Sequence, residues 1–408
     1  WDPRSYPAQS VPERMAIISA GVIMNVIFAV LMAAWALGLG VKEMTCELSS
    51  VRPGGAAWRA GLRTGDRITA IGGRKNPIFT DLRNGVTLGD VAKGVEFTVH
   101  RPADDSTRTI TLHPDTDLGV PTVGVTSPFS LTLPADLADG LPGAAGKAEP
   151  ALAPGDTVRA VDGVPVGTYA ELITALSREP AKPVELTIDR RADSGGEPKT
   201  AVVTLPPQPV TGTGLVMTAG AIRAVQADSP AAAAGLEAGD RIVTIDGEPL
   251  GDPLTADARL RARVGAAVRL GIERADTKRD VELEPRPVTW IEDSRLPSSP
   301  VSLPSIGVAL AVETTVAAVT AGSPAAAAGI GPGDRIVRVA FVEPGRDDPA
   351  TDAGLDLTAK ASIWPSVMSV RQPVRPGTRL VLDVEPAVAP GQACRRAVRL
   401  EPEDAGDG

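Results

Sequence analysis

An α+β chain, mainly β, is what the sequence predicts: one transmembrane helix followed by four tandem modules of one fold, the second degenerate. Three observations carry this. Between Met15 and Val41 no charged residue occurs across 27 positions. An 18-residue phrase, VQADSPAAAAGLEAGDRI from Val225 to Ile242, returns gap-free from Val319 to Ile336 as VTAGSPAAAAGIGPGDRI, with 13 identities. Looser copies stand at Val51–Ile68 and, reduced to LAPGDTV, at Leu152–Val158, so the Gly-Asp pairs at Asp66, Asp156, Asp240 and Asp334 step by 90, 84 and 94 residues. Such steps are too long for a solenoid and suit small independent domains.

Taken in order, residues 1–14 form a polar, proline-rich flank. The run 15–41 exceeds the ~30 Å hydrocarbon thickness at ~1.5 Å rise per residue. Arg4 and Arg14 precede it, while Lys42 is offset by Glu43. The positive-inside bias therefore places 1–14 in the cytoplasm and the modules on the extracytoplasmic, periplasmic side. Asn25, beside Ala20-Gly21, suits contact with another membrane helix. The chain starts at Trp1 rather than Met, which reads as a fragment or a processed form. Modules are expected at 42–114, 119–206, 212–286 and 305–403, with a Pro/Ser linker at 287–304.

The phrase has a local logic. Ser229-Pro230 and Ser323-Pro324 start a helix, the serine hydroxyl capping an orphan N–H and the proline losing no hydrogen bond. Four alanines sustain one turn, Gly235 and Gly329 end it in the left-handed conformation, and Gly239-Asp240 and Gly333-Asp334 turn into a strand. Asp246-Gly247 folds that strand back. The aspartates are read as structural. A groove helix is expected near Thr255–Val264, and an amphipathic helix over Thr168–Arg178.

Composition narrows the function. Hydrophobic residues reach 43% but aromatics only 3%, so cores are built from Val, Leu, Ile and Ala. A net charge of −9 without a basic run argues against a nucleic-acid partner. Cys46 and Cys394 fall in the first and fourth modules and read as unpaired thiols, although an envelope location would permit a disulfide. No Cys/His metal spacing exists.

The repeated phrase resembles the signature of bacterial PDZ domains, the circularly permuted kind found in envelope proteases. The stretch Pro12–Gly21, then Asn25, then Phe28-Ala29, resembles the second transmembrane helix of site-2 proteases of the regulator-of-sigma-E type, with Val22 where that family has proline. That helix leads directly into extracytoplasmic PDZ domains. The resemblance implies a fragment of an intramembrane zinc metalloprotease, with zinc held by the full-length protein and membrane-protein substrates or peptide C-termini as partners. It also implies a peptide-binding loop at an apolar-Gly-apolar step: Leu39-Gly40-Val41, Val123-Gly124-Val125, Thr213-Gly214-Leu215-Val216 and Ile306-Gly307-Val308. Backbone N–H groups there would hold a terminal carboxylate.

No catalytic or metal residue is assigned in this chain. The two histidines, His100 and His113, are 13 apart and form no HExxH. Gly354-Leu355-Asp356 echoes the family's third-ligand motif but lacks a hydrophobic span around it. A Ser–His–Asp triad would need one of those histidines and a glycine-framed serine. Three readings follow: the PDZ region of a site-2-type protease that gates or binds its substrates, a non-catalytic membrane-tethered PDZ scaffold, and a fragment of an envelope serine protease. Peptide binding is expected to concentrate in 212–286, whose elements are complete, whereas the fourth module carries an insert over Glu343–Lys360.

Overall fold

The computed structural model describes residues 6, 10–39, 45–87, 89, 92–117, 119–136, 141, 143–178, 181–190, 197–207, 211–292, 299–342, 345–346, 354–358, 364–365, 367, 378–387, 396–400 and 403–404. Two compact units divide at Thr45/Cys46.

The first unit is built on α1 (Val11–Gly38). Ser10 begins it, its N–H and hydroxyl both donating to Glu13 Oε2, at 2.8 and 2.6 Å. That capping box starts the helix before Met15, the first residue of the uncharged run. At 28 residues α1 is long and apolar enough to cross a membrane, and none of its residues is buried against protein.

The second unit repeats one strand order. First come β1 (Ser50–Val51), α2 (Ala56–Arg59), β2 (Arg67–Ile71), β3 (Arg74–Lys75), α3 (Phe79–Thr87), β4 (Val95–Arg101) and β5 (Ser106–Leu112), in a sheet ordered β3-β2-β4-β5. Then β6 (Val125–Thr126) pairs back onto β1. The second repeat has β7 (Thr157–Val161), β8 (Val164–Pro165), α4 (Tyr169–Leu176), β9 (Val184–Arg190) and β10 (Lys199–Leu205), ordered β10-β9-β7-β8. After β11 (Thr211–Gly212) the third follows: β12 (Leu215–Val225), α5 (Pro230–Ala233), β13 (Arg241–Ile245), β14 (Glu248–Pro249), α6 (Ala256–Arg261), β15 (Val268–Arg274) and β16 (Thr277–Leu283), with β14-β13-β15-β16 as one sheet. Last come β17 (Val301–Leu303), β18 (Val308–Val319), α7 (Pro324–Ala327), β19 (Arg335–Val342), β20 (Leu355–Asp356), β21 (Arg379–Glu385), β22 (Arg396–Leu400) and β23 (Glu403–Asp404).

The repeats share a defect as well as an order. The strand opening on each Gly-Asp turn slips register once against its partner, between Ile68 and Ala70, Val158 and Ala160, Ile242 and Thr244, and Ile336 and Arg338. A bulge at the same place in every copy is a property of the fold, since it re-aims the strand's side chains. Beyond the long apolar α1, the chain is mainly β with short helices, as the sequence predicts.

Where the cores lie differs from the boundaries drawn at 212 and 305. The long strands β12 and β18 pair antiparallel from Leu215↔Val319 to Val225↔Val308. Leu215 and Met217 at the start of β12 lie in a core with Ala325, Ile336, Trp364 and Leu382, whereas Ile222 near its end lies with Ala231, Ile242 and Leu270. Correspondingly, Val308 and Leu310 join Ile222, while Val312 and Val316 join Leu215. The third and fourth repeats have exchanged strand halves. The 287–304 stretch is no simple linker either, because Trp290 is buried at 7% exposure and Leu303 at 0%. Its Pro/Ser composition conceals a few apolar anchors, and those decide where it packs.

Candidate peptide-binding site

Three phrases grip an apolar-Gly-apolar step by the same pair of hydrogen bonds. Ala57 N–H donates to Val123 O at 3.0 Å and Arg52 N–H to Gly124 O at 2.7 Å. In the third repeat Ala231 N–H reaches Ile306 O at 2.9 Å and Gln226 N–H reaches Gly307 O at 2.8 Å; in the fourth, Ala325 N–H reaches Thr213 O at 3.0 Å and Thr320 N–H reaches Gly214 O at 2.8 Å. Gly124-Val125 therefore belongs beside the first phrase, Gly307-Val308 beside the third, and Gly214-Leu215-Val216 beside the fourth. None of the three lies in the module that follows it in sequence, where the sequence reading had set it. The step at Gly40-Val41 lies outside the described residues.

Each of these glycines is needed where it is. Gly124, Gly214 and Gly307 sit at φ of 75°, 75° and 78°. A Cβ on Gly214 would lie 2.1 Å from Ser323 Cβ, and one on Gly307 would lie 2.3 Å from Ser229 Cβ. Those serines are the helix caps, their Oγ accepting from Ala326 N–H at 3.3 Å and Ala232 N–H at 3.2 Å. Cap and loop thus pack directly on each other.

The Gly-Asp carboxylates hold the base of the site. Each accepts from the backbone N–H three residues before it: Arg63, Ala153, Glu237 and Gly331. Each also takes a guanidinium: Arg101 Nε and Nη2 at 2.8 and 2.7 Å from Asp66, Arg190 at 2.9 and 2.6 Å from Asp156, Arg274 at 2.5 and 2.8 Å from Asp240, and Arg396 Nη2 at 3.4 Å from Asp334. The same Arg Nη2 donates to the carbonyl of Gly61, Ala151, Gly235 or Gly329, where the phrase helix ends or, in the second repeat, would end. Sequence reasoning missed these arginines. A signal exists, because Arg101, Arg190 and Arg274 follow their aspartates by 35, 34 and 34 residues.

That clamp has a pH signature. The Arg274 hydrogen bonds hold the Asp240 carboxyl below the usual range against the opposing effect of burial. A lowered folded pKa gives stability that is complete above the unfolded value of about 3.9 and is lost as pH falls through the folded one. Arg274→Ala should destabilise the chain at pH 7, because it removes two charge-assisted hydrogen bonds to Asp240. The full cost of breaking a buried pair does not apply, since the Arg274 side chain is 33% exposed. Urea unfolding of the full chain should show this gap narrowing below about pH 4.

Other candidates resolve simply. His100 lies on β4 with Nδ1 3.4 Å from Thr107 Oγ1, and His113 is exposed just after β5. Cys46 is free and buried, its thiol pushed up to about 12 by burial and by the charge of Asp81; Cys394 lies outside the described residues. Among the described residues no cluster of three or more His, Cys, Asp and Glu side chains could hold a metal. The described residues do not fit a zinc site.

The groove helix of the second repeat, α4, lines a cavity of about 630 Å³ with Thr168, Ala170, Glu171 and Thr174. Across it stand Glu47 and Arg63. Arg63 stacks 3.8 Å over the Trp290 ring, and burial together with Arg101 and Arg286 brings its guanidinium down to about 10.

The chain carries PDZ domains: the PDZ-domain family model matches residues 47–81 and 222–274, in the first and third repeats. Among curated proteins, one from Neisseria meningitidis with a provisional zinc-metalloprotease name is 27% identical over 201 residues, 46% of this chain and 43% of its own length. One of the same description from Ralstonia nicotianae is 29% identical over 197 residues, 46% of this chain and 42% of that one. The regulator of sigma-E protease RseP of Salmonella typhimurium is 25% identical over 193 residues, with the same two shares, 46% and 42%. The chain thus spans less than half the length of these relatives.

Proposed function

We propose that this chain is the extracytoplasmic PDZ region of a membrane-embedded, site-2-type zinc metalloprotease, gating or binding membrane-protein substrates for regulated cleavage in the bilayer. The observation that carries this is the order of parts: a bare apolar helix, then PDZ repeats, in a chain similar to zinc metalloproteases over 46% of its length. In this reading α1 spans the membrane, and the zinc ligands belong to helices of the full-length protein outside this sequence. The PDZ repeats exclude bulky extracytoplasmic domains or hold the tail of a trimmed substrate. Peptide binding uses the loops at Gly124-Val125, Gly214-Leu215-Val216 and Gly307-Val308.

The coding frame upstream of Trp1 tests the reading. HExxH within an apolar segment is the expected result. A start codon close by would leave a membrane-tethered PDZ scaffold, and a domain with its own Ser–His–Asp triad would leave a serine protease. Topology has a separate expected outcome. Reporter fusions after Glu47 and after Pro287 should both be extracytoplasmic, and a cytoplasmic signal from either overturns that placement.

A further inference from the structure

The third repeat's groove already holds a strand. β17 pairs antiparallel with the start of β18, Leu303 opposite Val308 and Val301 opposite Leu310, and it also contacts the groove helix α6. That is the position and direction of an extended ligand added between a PDZ strand and its helix. Leu303 is buried at 0% exposure among Ala256, Leu260 and Val268. Val301, two residues before, shares its face of the strand and packs against the same core. The N–H groups of Ile306 and Gly307 would hold a ligand's carboxylate, but they donate instead to Leu303 O, at 3.1 and 2.8 Å.

We propose that Val301-Ser302-Leu303 is an internal ligand, and that the third groove is a site for extended segments ending in Leu with Val two positions earlier. This rests on the peptide-binding reading above and adds its sequence preference and its closed state. Two acidic residues fasten the segment. Asp257 Oδ1, on α6, accepts from Ser305 N–H at 3.1 Å and Ser305 Oγ at 2.6 Å. Glu292 accepts from Ser302 Oγ, and also from Trp290 Nε1 at 2.8 Å and Trp58 Nε1 at 2.7 Å. The bond to Trp58 ties the segment to the helix α2 of the first repeat. Pro300 is buried, and a Cβ on Gly54 would lie 3.3 Å from its Cγ. A segment tethered this closely competes at an effective concentration of mM order, so a free peptide of micromolar affinity is held out until the fastening loosens.

The test uses the full chain in detergent micelles and a fluorescent peptide, Ser-Pro-Val-Ser-Leu, with a free carboxylate. Leu303→Gly empties the apolar pocket. It should raise affinity about tenfold or more over the native chain, with new hydrogen-exchange protection across residues 306–310. Asp257→Ala leaves Leu303 in place but cuts the fastening to Ser305, and should raise affinity about threefold. Equal affinity and equal protection in the native chain would overturn the proposal. So would a Leu303→Gly variant that melts cooperatively and does not bind. If Leu303→Gly does not fold, Asp257→Ala decides, and no gain there overturns the proposal. The protease reading fails separately, on the upstream frame: a peptide gain without HExxH would keep the internal ligand and remove the protease.

Discussion

Residues 212–286 produced alone are expected to show no cooperative unfolding transition, whereas residues 212–404 should unfold as one unit. The third core draws Leu303, Ile306, Val308 and Leu310 from beyond residue 286, all at 0% exposure. At roughly 1.5–3 kcal/mol for each fully buried aliphatic side chain, losing them removes about 6–12 kcal/mol of burial. A domain's whole stability is about 5–15 kcal/mol, so little or nothing is left to fold it. Cutting there also strands the front of β12, whose Leu215 and Met217 lose the fourth core they fill. Thermal melts by circular dichroism of the two lengths would check this. A sharp transition from 212–286 alone would mean that β12 folds back on its own phrase and that the strand exchange is absent in solution.

The peptide-binding expectation changes with this. The sequence placed the most complete module at 212–286, with Gly214 at its loop. The structure gives the third phrase a different loop, at Gly307, and fills the groove beside it with β17. Free peptide affinity in the native chain is therefore expected to come from other grooves.

Much of the fold was legible because its signals are local. Ser229-Pro230, the alanines, Gly235 and Asp246-Gly247 each specify a conformation within a few residues, and each is found there: Ser229 caps α5, Gly235 has φ 74°, and Asp246 and Gly247 have φ 52° and 85°. The amphipathic pattern over Thr168–Arg178 became α4, capped by Thr168. The pairing of loops with phrases was not legible. An apolar-Gly-apolar step fits any copy of the phrase, since Ser229 and Ser323 present the same cap to it, and the choice is made by which core buries Leu215 or Val308. Nor does alternation reveal a strand that changes partner midway, because β12 and β18 are apolar enough throughout to serve two cores. The arginine clamp failed to register for a different reason. Its arginines lie 34 or 35 positions from their aspartates in the first three repeats and 62 in the fourth, beyond the reach of any helix or turn pattern, although the first three repeats make that offset countable.

Substituting the loop glycines should expose the exchange directly, because the damage will appear in the repeat that is not the sequence neighbour. Gly214→Ala sets a side chain at φ +75° with its Cβ 2.1 Å from Ser323 Cβ. Holding Ala in the left-handed region costs about 1–2 kcal/mol, and forcing apart a packed contact costs about 1–3 kcal/mol more. Ser323 caps α7 of the fourth repeat, so hydrogen exchange should quicken across residues 324–342 while 230–245 stay protected. Gly307→Ala reverses the pattern, since its Cβ would meet Ser229 at 2.3 Å and disturb the cap of α5. Exchange should then quicken across 230–245. Loosening of 230–245 by Gly214→Ala would return that loop to the module in which the sequence alone had set it, and would remove the basis for a third groove closed by Val301–Leu303.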